Sequence, residues 1–172
     1  MTAVPRGSRV AVDVGSVRVG VAASDPDGLV ATPVRTVLRE GGGDMAEIVE
    51  IVHERGAAVV YVGLPRHLSG AEGSASAAAR AYAGALAVAV SPVPVRLVDE
   101  RMSTVTAHQA LHASGRAGRR HRAVVDQAAA VVILQSALDA ERSTGDRCGE
   151  AVRADVGGGQ DGQDAGAEES RR

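Results

Sequence analysis

Aromatic side chains are nearly missing from this 172-residue chain: Trp and Phe are absent, and Tyr61 and Tyr82 are the two tyrosines. That nearly excludes a stacking platform for single-stranded bases. A core has to be built from Val, Ala, Leu and Ile instead. Lysine is absent too. All 19 basic residues are arginines, which excludes Schiff-base chemistry and a P-loop lysine. The single cysteine, Cys148, excludes an intrachain disulfide framework and a Cys-based zinc site. It falls in the tail and reads as a free, solvated thiol. No apolar run approaches the roughly 18 residues of a transmembrane helix. Residues 1–9 lack the apolar stretch of a secretory signal. A cytoplasmic protein that does not engage a membrane is expected.

What is present is ordinary in amount and uneven in place. Hydrophobic residues make up 45% and charged residues 23%, as in a soluble globular domain. The net charge of −2 divides into +2 for residues 1–138 and −4 for residues 139–172. The segment from Ser143 onward is rich in Gly, Asp and Glu, with too few apolar residues to offset the entropy of ordering. The expected organisation is a flexible N-terminus over 1–8, a compact domain over 9–142 and a disordered acidic tail over 143–172.

The body opens with strands. Residues 9–14 and 18–24 are Val-rich and joined by a short link, and Asp25-Pro26-Asp27-Gly28 is a turn signal before a third strand over 29–38. A helix is expected over 44–55, a buried strand over 57–62, and an Ala-rich helix over 72–88. A strand over 95–98 follows, then a helix from Ser103 to about residue 112, a basic loop, and a long helix over 122–142. Three antiparallel strands followed by alternating helices and strands predict a mixed five-stranded sheet flanked by helices. That arrangement is ribonuclease H-like, since a Rossmann fold would open βαβ.

Several carboxylates fall in awkward places. Asp13 ends the first strand among apolar neighbours, where a carboxylate is costly unless paired or bound to a metal. Gly15 beside it frees the backbone to turn and lets a phosphate approach. The plainer reading is that Asp13 starts a turn. Asp99 and Glu100 end the fifth strand, where α/β sheets bind ligands. Alternation lets one of the two face Asp13, and pattern alone leaves open which. The plainer reading is a favourable charge near a helix start. At about 100° per residue, Asp126, Ala129, Ala130, Ile133 and Ala137 share one helix face, so Asp126 would point at the sheet. Its plainer reading is a pair with Arg122 one turn earlier. Three acids at one sheet edge would repel and raise one another's pKa. A divalent cation removes that conflict, and all-oxygen ligation suits Mg²⁺ or Mn²⁺, as one or two ions.

Four segments together resemble the YqgF/RuvX family of ribonuclease H-like nucleases. They are Asp13-Val14-Gly15-Ser16-Val17-Arg18-Val19-Gly20 with Ser24-Asp25-Pro26; Val62-Gly63-Leu64-Pro65 with Gly70-Ala71-Glu72-Gly73; Asp99-Glu100-Arg101-Met102-Ser103-Thr104; and Val125-Asp126-Gln127-Ala128-Ala129. The resemblance spans about residues 9–137 in the family's order. It implies a metal-dependent nuclease that matures the 5′ end of precursor 16S ribosomal RNA, in contact with nucleic acid and a pre-ribosomal particle. Members are also described as Holliday junction resolvases, which would make branched DNA the substrate. By motif, the family's acidic residues fall on Asp13, Glu100 and Asp126, which selects Glu100 over Asp99. The family's basic pair before the second strand is here Val17-Arg18, one charge short. Ser103 and Thr104 keep both hydroxyls of its threonine pair.

Arg116, Arg119, Arg120 and Arg122 crowd the segment before Asp126. They read as a phosphate-binding loop or, more plainly, as a solvated loop. Arg18 and Arg101 flank the acids and are candidates to hold a scissile phosphate, or to pair with a carboxylate. His108 and His112 are one helical turn apart without an intervening Glu and read as surface residues. Three other readings stay open. An actin-type phosphotransferase also opens with Asp-x-Gly, but the chain is too short for its two domains. A non-catalytic RNA-binding assembly factor gains nothing from clustered carboxylates. A resolvase would need a dimer, and the sequence leaves monomer or homodimer open.

Overall fold

A computed structural model describes residues 3–102 and 119–154. Six strands form one sheet in the order β3-β2-β1-β4-β5-β6. They are β1 (Ser8–Val14), β2 (Arg18–Ser24), β3 (Ala31–Leu38), β4 (Ala57–Leu64), β5 (Val95–Asp99) and β6 (Glu150–Val152). The described α-helices are α1 (Asp44–Glu54), α2 (Ser74–Val90) and α3 (Arg119–Thr144). β1, β2 and β3 form an antiparallel meander, whereas β4 and β5 run parallel to β1. This is the expected mixed architecture with a sixth strand added.

Two layers of side chains explain the sheet's composition. β1 is central and buried on both faces, so it reads as a near-continuous apolar run. Val10, Val12, Val19 and Val21 pack with Ile48 and Ile51 of α1 and with Ala83 and Leu86 of α2. Ala11, Ala22, Tyr61 and Val98 face the other way, onto Ala130, Ile133, Leu134 and Leu138 of α3. The α3 side is richer in alanine on both partners, which lets the helix lie close to the strands. Arg122–Thr144 is long and apolar enough, by length and composition, to cross a membrane. That corrects the inference from run length, and it is packing on the sheet that explains the apolar face here.

Far from Asp13, the C-terminal half of α3 is tied down by charge. Glu141 is 5% exposed. It accepts from Arg9, whose Nη2 lies 3.0 Å away, from Arg147 Nη1 at 2.7 Å and from the Tyr61 hydroxyl. Arg147 also donates to the Pro5 carbonyl at 2.9 Å.

The structure corrects four expectations. Residues 143–154 are not part of a disordered tail, because β6 pairs antiparallel with β5. Arg96 secures the link by donating to the Cys148 and Gly149 carbonyls at 2.6 and 2.7 Å. Cys148 is consequently half-buried against the α3 layer, and burial raises its thiol pKa. β3 starts at Ala31 because Asp25 holds the turn before it, accepting the Leu29 and Val30 N–H groups at 2.8 Å each. Finally, α3 begins at Arg119, so Arg119, Arg120 and Arg122 stand on a helix rather than in a loop. Ser103, Thr104, His108, His112 and Arg116 lie outside the described residues.

Candidate active site at the carboxyl edge of the sheet

Alternation assigns the acids to faces. On β1, Ala11 joins the α3 layer while Val10 and Val12 join the opposite one. Asp13, two residues after Ala11, therefore belongs to the α3 face. On β5, Val98 faces α3 and Leu97 faces away. Asp99 accordingly turns to the α2 side, where Arg101 Nη2 pairs with it at 2.6 Å and Arg66 Nη1 lies 3.9 Å off. The Arg101 guanidinium beside Asp99 holds that carboxyl below the usual range.

Glu100 takes the other direction. Its Oε1 lies 2.9 Å from where a Cβ on Gly63 would stand, and Ile133 Cδ1 of α3 lies 2.6 Å from the same point. Gly63 is the penultimate residue of β4, the strand between β1 and β5. Its missing side chain leaves the space in which Glu100 sits, in hydrogen-bond contact with Asp13. Burial pushes the Glu100 carboxyl above its ordinary range, the charge of Asp99 adds to that, and the contact with Asp13 opposes it. Two abutting, half-buried carboxyls favour a shared proton or a cation.

Asp126 reaches the same edge from the helix. Its backbone carbonyl lies 2.0 Å from where a Cβ on Gly20 would stand, and Gly20 is the cross-strand partner of Asp13. The Asp126 carboxylate accepts from Arg18 Nε at 2.8 Å, and both side chains are about three-quarters buried. Asp13 and Glu100 thus meet, while Asp126 stands over the neighbouring strand with a guanidinium as its partner. Among the described residues, no three His, Cys, Asp or Glu side chains are grouped closely enough to hold a metal ion.

The remaining candidates sort by their partners. Gly15 donates its N–H to the Arg18 carbonyl at 2.8 Å, and its own carbonyl accepts from Arg39 Nη1 at 2.8 Å. It closes the β1–β2 turn, and its N–H is committed there. Arg101 is engaged by Asp99, away from the Asp13 face. Arg122 is exposed one turn before Asp126. Gly20 and Gly63 are the positions whose importance sequence reasoning did not separate from ordinary turn glycines. The available signal was a glycine inside each of two otherwise apolar strands.

A family model described as RuvX, Holliday junction resolvase, matches residues 7–140. This chain belongs to the RuvX family. Two curated relatives, from Nocardioides sp. and Kineococcus radiotolerans, carry the name "Putative pre-16S rRNA nuclease". The first is 58% identical over 151 residues, 85% of this chain and 96% of the relative. The second is 56% identical over 153 residues, 88% of this chain and 81% of the relative. Among solved structures, T. thermophilus RuvC in complex with Holliday junction substrate superposes with a TM-score of 0.56 at 16% identity, covering 82% of this chain and 98% of that one. At that identity the likeness shows the fold, which is the ribonuclease H-like one. The RuvX motif segments map onto the carboxyl ends of β1, β4 and β5 and the first turns of α3.

Proposed function

We propose that this chain is a metal-dependent nuclease that hydrolyses phosphodiester bonds during 5′-end processing of precursor 16S ribosomal RNA. The observation that carries this reading is the meeting of Asp13 and Glu100 on the α3 face of the sheet's carboxyl edge. Half-buried carboxylates forced together are costly for a protein that only binds polyanions. They suit a site built for a cation.

The donor set fits Mg²⁺ or Mn²⁺: carboxylate oxygens, without cysteine or histidine. Asp13 and Glu100 would hold the ion, with Asp126 available at the same edge. When bound, the ion supplies charge neutralisation at the phosphodiester and water of lowered pKa. Burial raises the Glu100 carboxyl above its ordinary range, so that ligand is protonated first as pH falls and activity falls with it. Gly63 keeps the space in which Glu100 points. Arg18 and the α3 arginines Arg119, Arg120 and Arg122 supply cationic groups for the nucleic-acid backbone, with binding that weakens steeply as salt rises. The pre-ribosomal particle and the cytoplasm are the setting this reading implies.

The fold shared with RuvC favours a second reading, a resolvase of branched DNA, which would act as a homodimer to cut two strands symmetrically. One experiment separates them: a 5′-extended 16S precursor fragment and a four-way DNA junction, each incubated with Mg²⁺ or Mn²⁺ and the wild type, Asp13→Asn or Asp126→Asn. Metal-dependent cutting of the RNA that both variants lose is the expected result. Cutting confined to the junction would transfer the chemistry to recombination. Cutting of neither substrate would overturn the nuclease assignment.

A further inference from the structure

The Arg18–Asp126 pair has a consequence for how such a site would fill. Asp13 and Glu100 already touch, whereas the Asp126 carboxylate is taken by Arg18 Nε at 2.8 Å. A guanidinium and a divalent cation compete for that carboxylate, because the two positive charges repel across a few ångströms of partly desolvated space. The pair is only partly exposed, at 23% for Arg18 and 27% for Asp126, so water screens it incompletely. Arg18 also has a short path to another anion. It opens β2 directly after the β1–β2 turn, on the face that carries Asp13.

Resting on the nuclease reading above, we infer that Arg18 acts as a placeholder that couples phosphate binding to cation binding. In the substrate-free site it neutralises Asp126 and leaves a two-carboxylate cation site of reduced affinity. A substrate phosphate offers Arg18 a better-matched partner, since guanidinium and phosphate pair bidentately. Arg18 moves to the phosphate, Asp126 is released to the cation, and each ligand strengthens the other. By linkage the strengthening is reciprocal. Arg18 is thus a positioning residue whose influence runs through Asp126. The device keeps the third carboxylate away from a cation until a phosphodiester is present.

Calorimetric titration of Mg²⁺ into the whole chain, without nucleic acid, tests this apart from activity. Arg18→Gln is expected to bind Mg²⁺ roughly fivefold more tightly than wild type, the scale of a partly exposed ion pair. Asp126→Asn is expected to change the wild type's affinity little, and to weaken binding clearly when combined with Arg18→Gln. Dimethyl phosphate, a diester too stable to be consumed during the titration, should tighten Mg²⁺ binding in wild type and not in Arg18→Gln. Unchanged or weaker Mg²⁺ binding in Arg18→Gln, with circular dichroism showing a native fold, would overturn the coupling while leaving the nuclease reading standing. Mg²⁺ binding absent from both proteins, and indifferent to Asp13→Asn, would overturn both.

Discussion

The position of one carboxylate depends on the absence of one side chain. A Cβ at Gly63 would stand 2.6 Å from Ile133 Cδ1 and 2.9 Å from Glu100 Oε1. Gly63→Ala should therefore move Glu100 off Asp13 or push α3 outward. A displacement of about 1 Å at a reacting centre costs on the order of a hundredfold in rate. We expect Gly63→Ala to lose about that factor in kcat on the precursor RNA, with KM for RNA nearly unchanged, in steady-state kinetics on folded protein. The sequence showed Val62-Gly63-Leu64-Pro65 as a strand followed by a break, and it showed Asp99 beside Glu100 without ranking them by geometry. Alternation along β5 ranks them, because Val98 faces α3 and the next residue cannot. That alternation was legible only once the face of Val98 was known, which depends on a helix that begins 21 residues later in the chain.

At the scale of elements, α3 on the sheet is the contact that defines the molecule. Two features hold it, one at each end. Near its start, the Asp126 carbonyl occupies the space over Gly20, and any Cβ there would meet backbone rather than a side chain that could move. Gly20→Ala should destabilise by about 3 kcal/mol or more, the upper end for overpacking, measurable by urea denaturation. Near its end, Glu141 is buried among Arg9, Arg147 and the Tyr61 hydroxyl. Desolvation raises the Glu141 pKa, but the hydrogen bonds from Tyr61, Arg147 and Arg9 outweigh it, and the net shift is downward. A carboxyl with a depressed folded pKa contributes stability that is present above its unfolded value of about 4.3. That contribution fades as pH falls through the lower folded value. Glu141→Gln should cost about 3–5 kcal/mol at pH 7, as for a broken buried pair. The gap between variant and wild type should narrow below about pH 4, as urea titrations at pH 7 and pH 3.5 would show. The stripe Ala129, Ala130, Ile133 and Ala137 was legible as helical periodicity. The cluster at Glu141 was not, because its members come from β1, β4, α3 and the segment after α3.

The molecule as a whole ends its sheet with a strand that composition did not announce. Residues 143–172 are acidic and Gly-rich, yet Glu150–Val152 pairs with β5 because Arg96 reaches the carbonyls of residues 148 and 149 and Arg80 Nη1 holds Glu150 at 2.9 Å. Arrangements of that kind are invisible to composition averages, since three residues carry them. Arg96→Ala removes two charge-assisted hydrogen bonds, each of order 1.5–3 kcal/mol. At about 2–4 °C per kcal/mol for a chain of this size, Tm should fall by roughly 6 °C or more. Amide exchange should rise first at residues 150–152. The ribonuclease H-like order of strands, by contrast, followed from short links and the alternation of helices with strands.

The hydrogen bond from Arg147 to the Pro5 carbonyl places the first and last parts of the described body side by side. They meet at the amino end of β1, whereas the acidic edge lies at its carboxyl end. Between Asp126 and Glu141, α3 covers about 22 Å at 1.5 Å per residue. The two ends of the described body therefore meet at the pole opposite the chemistry. A circular permutant that joins residues 154 and 5 through a glycine linker, so that β6 is kept, and opens between the exposed Pro26 and Asp27, would redraw the order of synthesis without touching Asp13, Glu100 or Asp126.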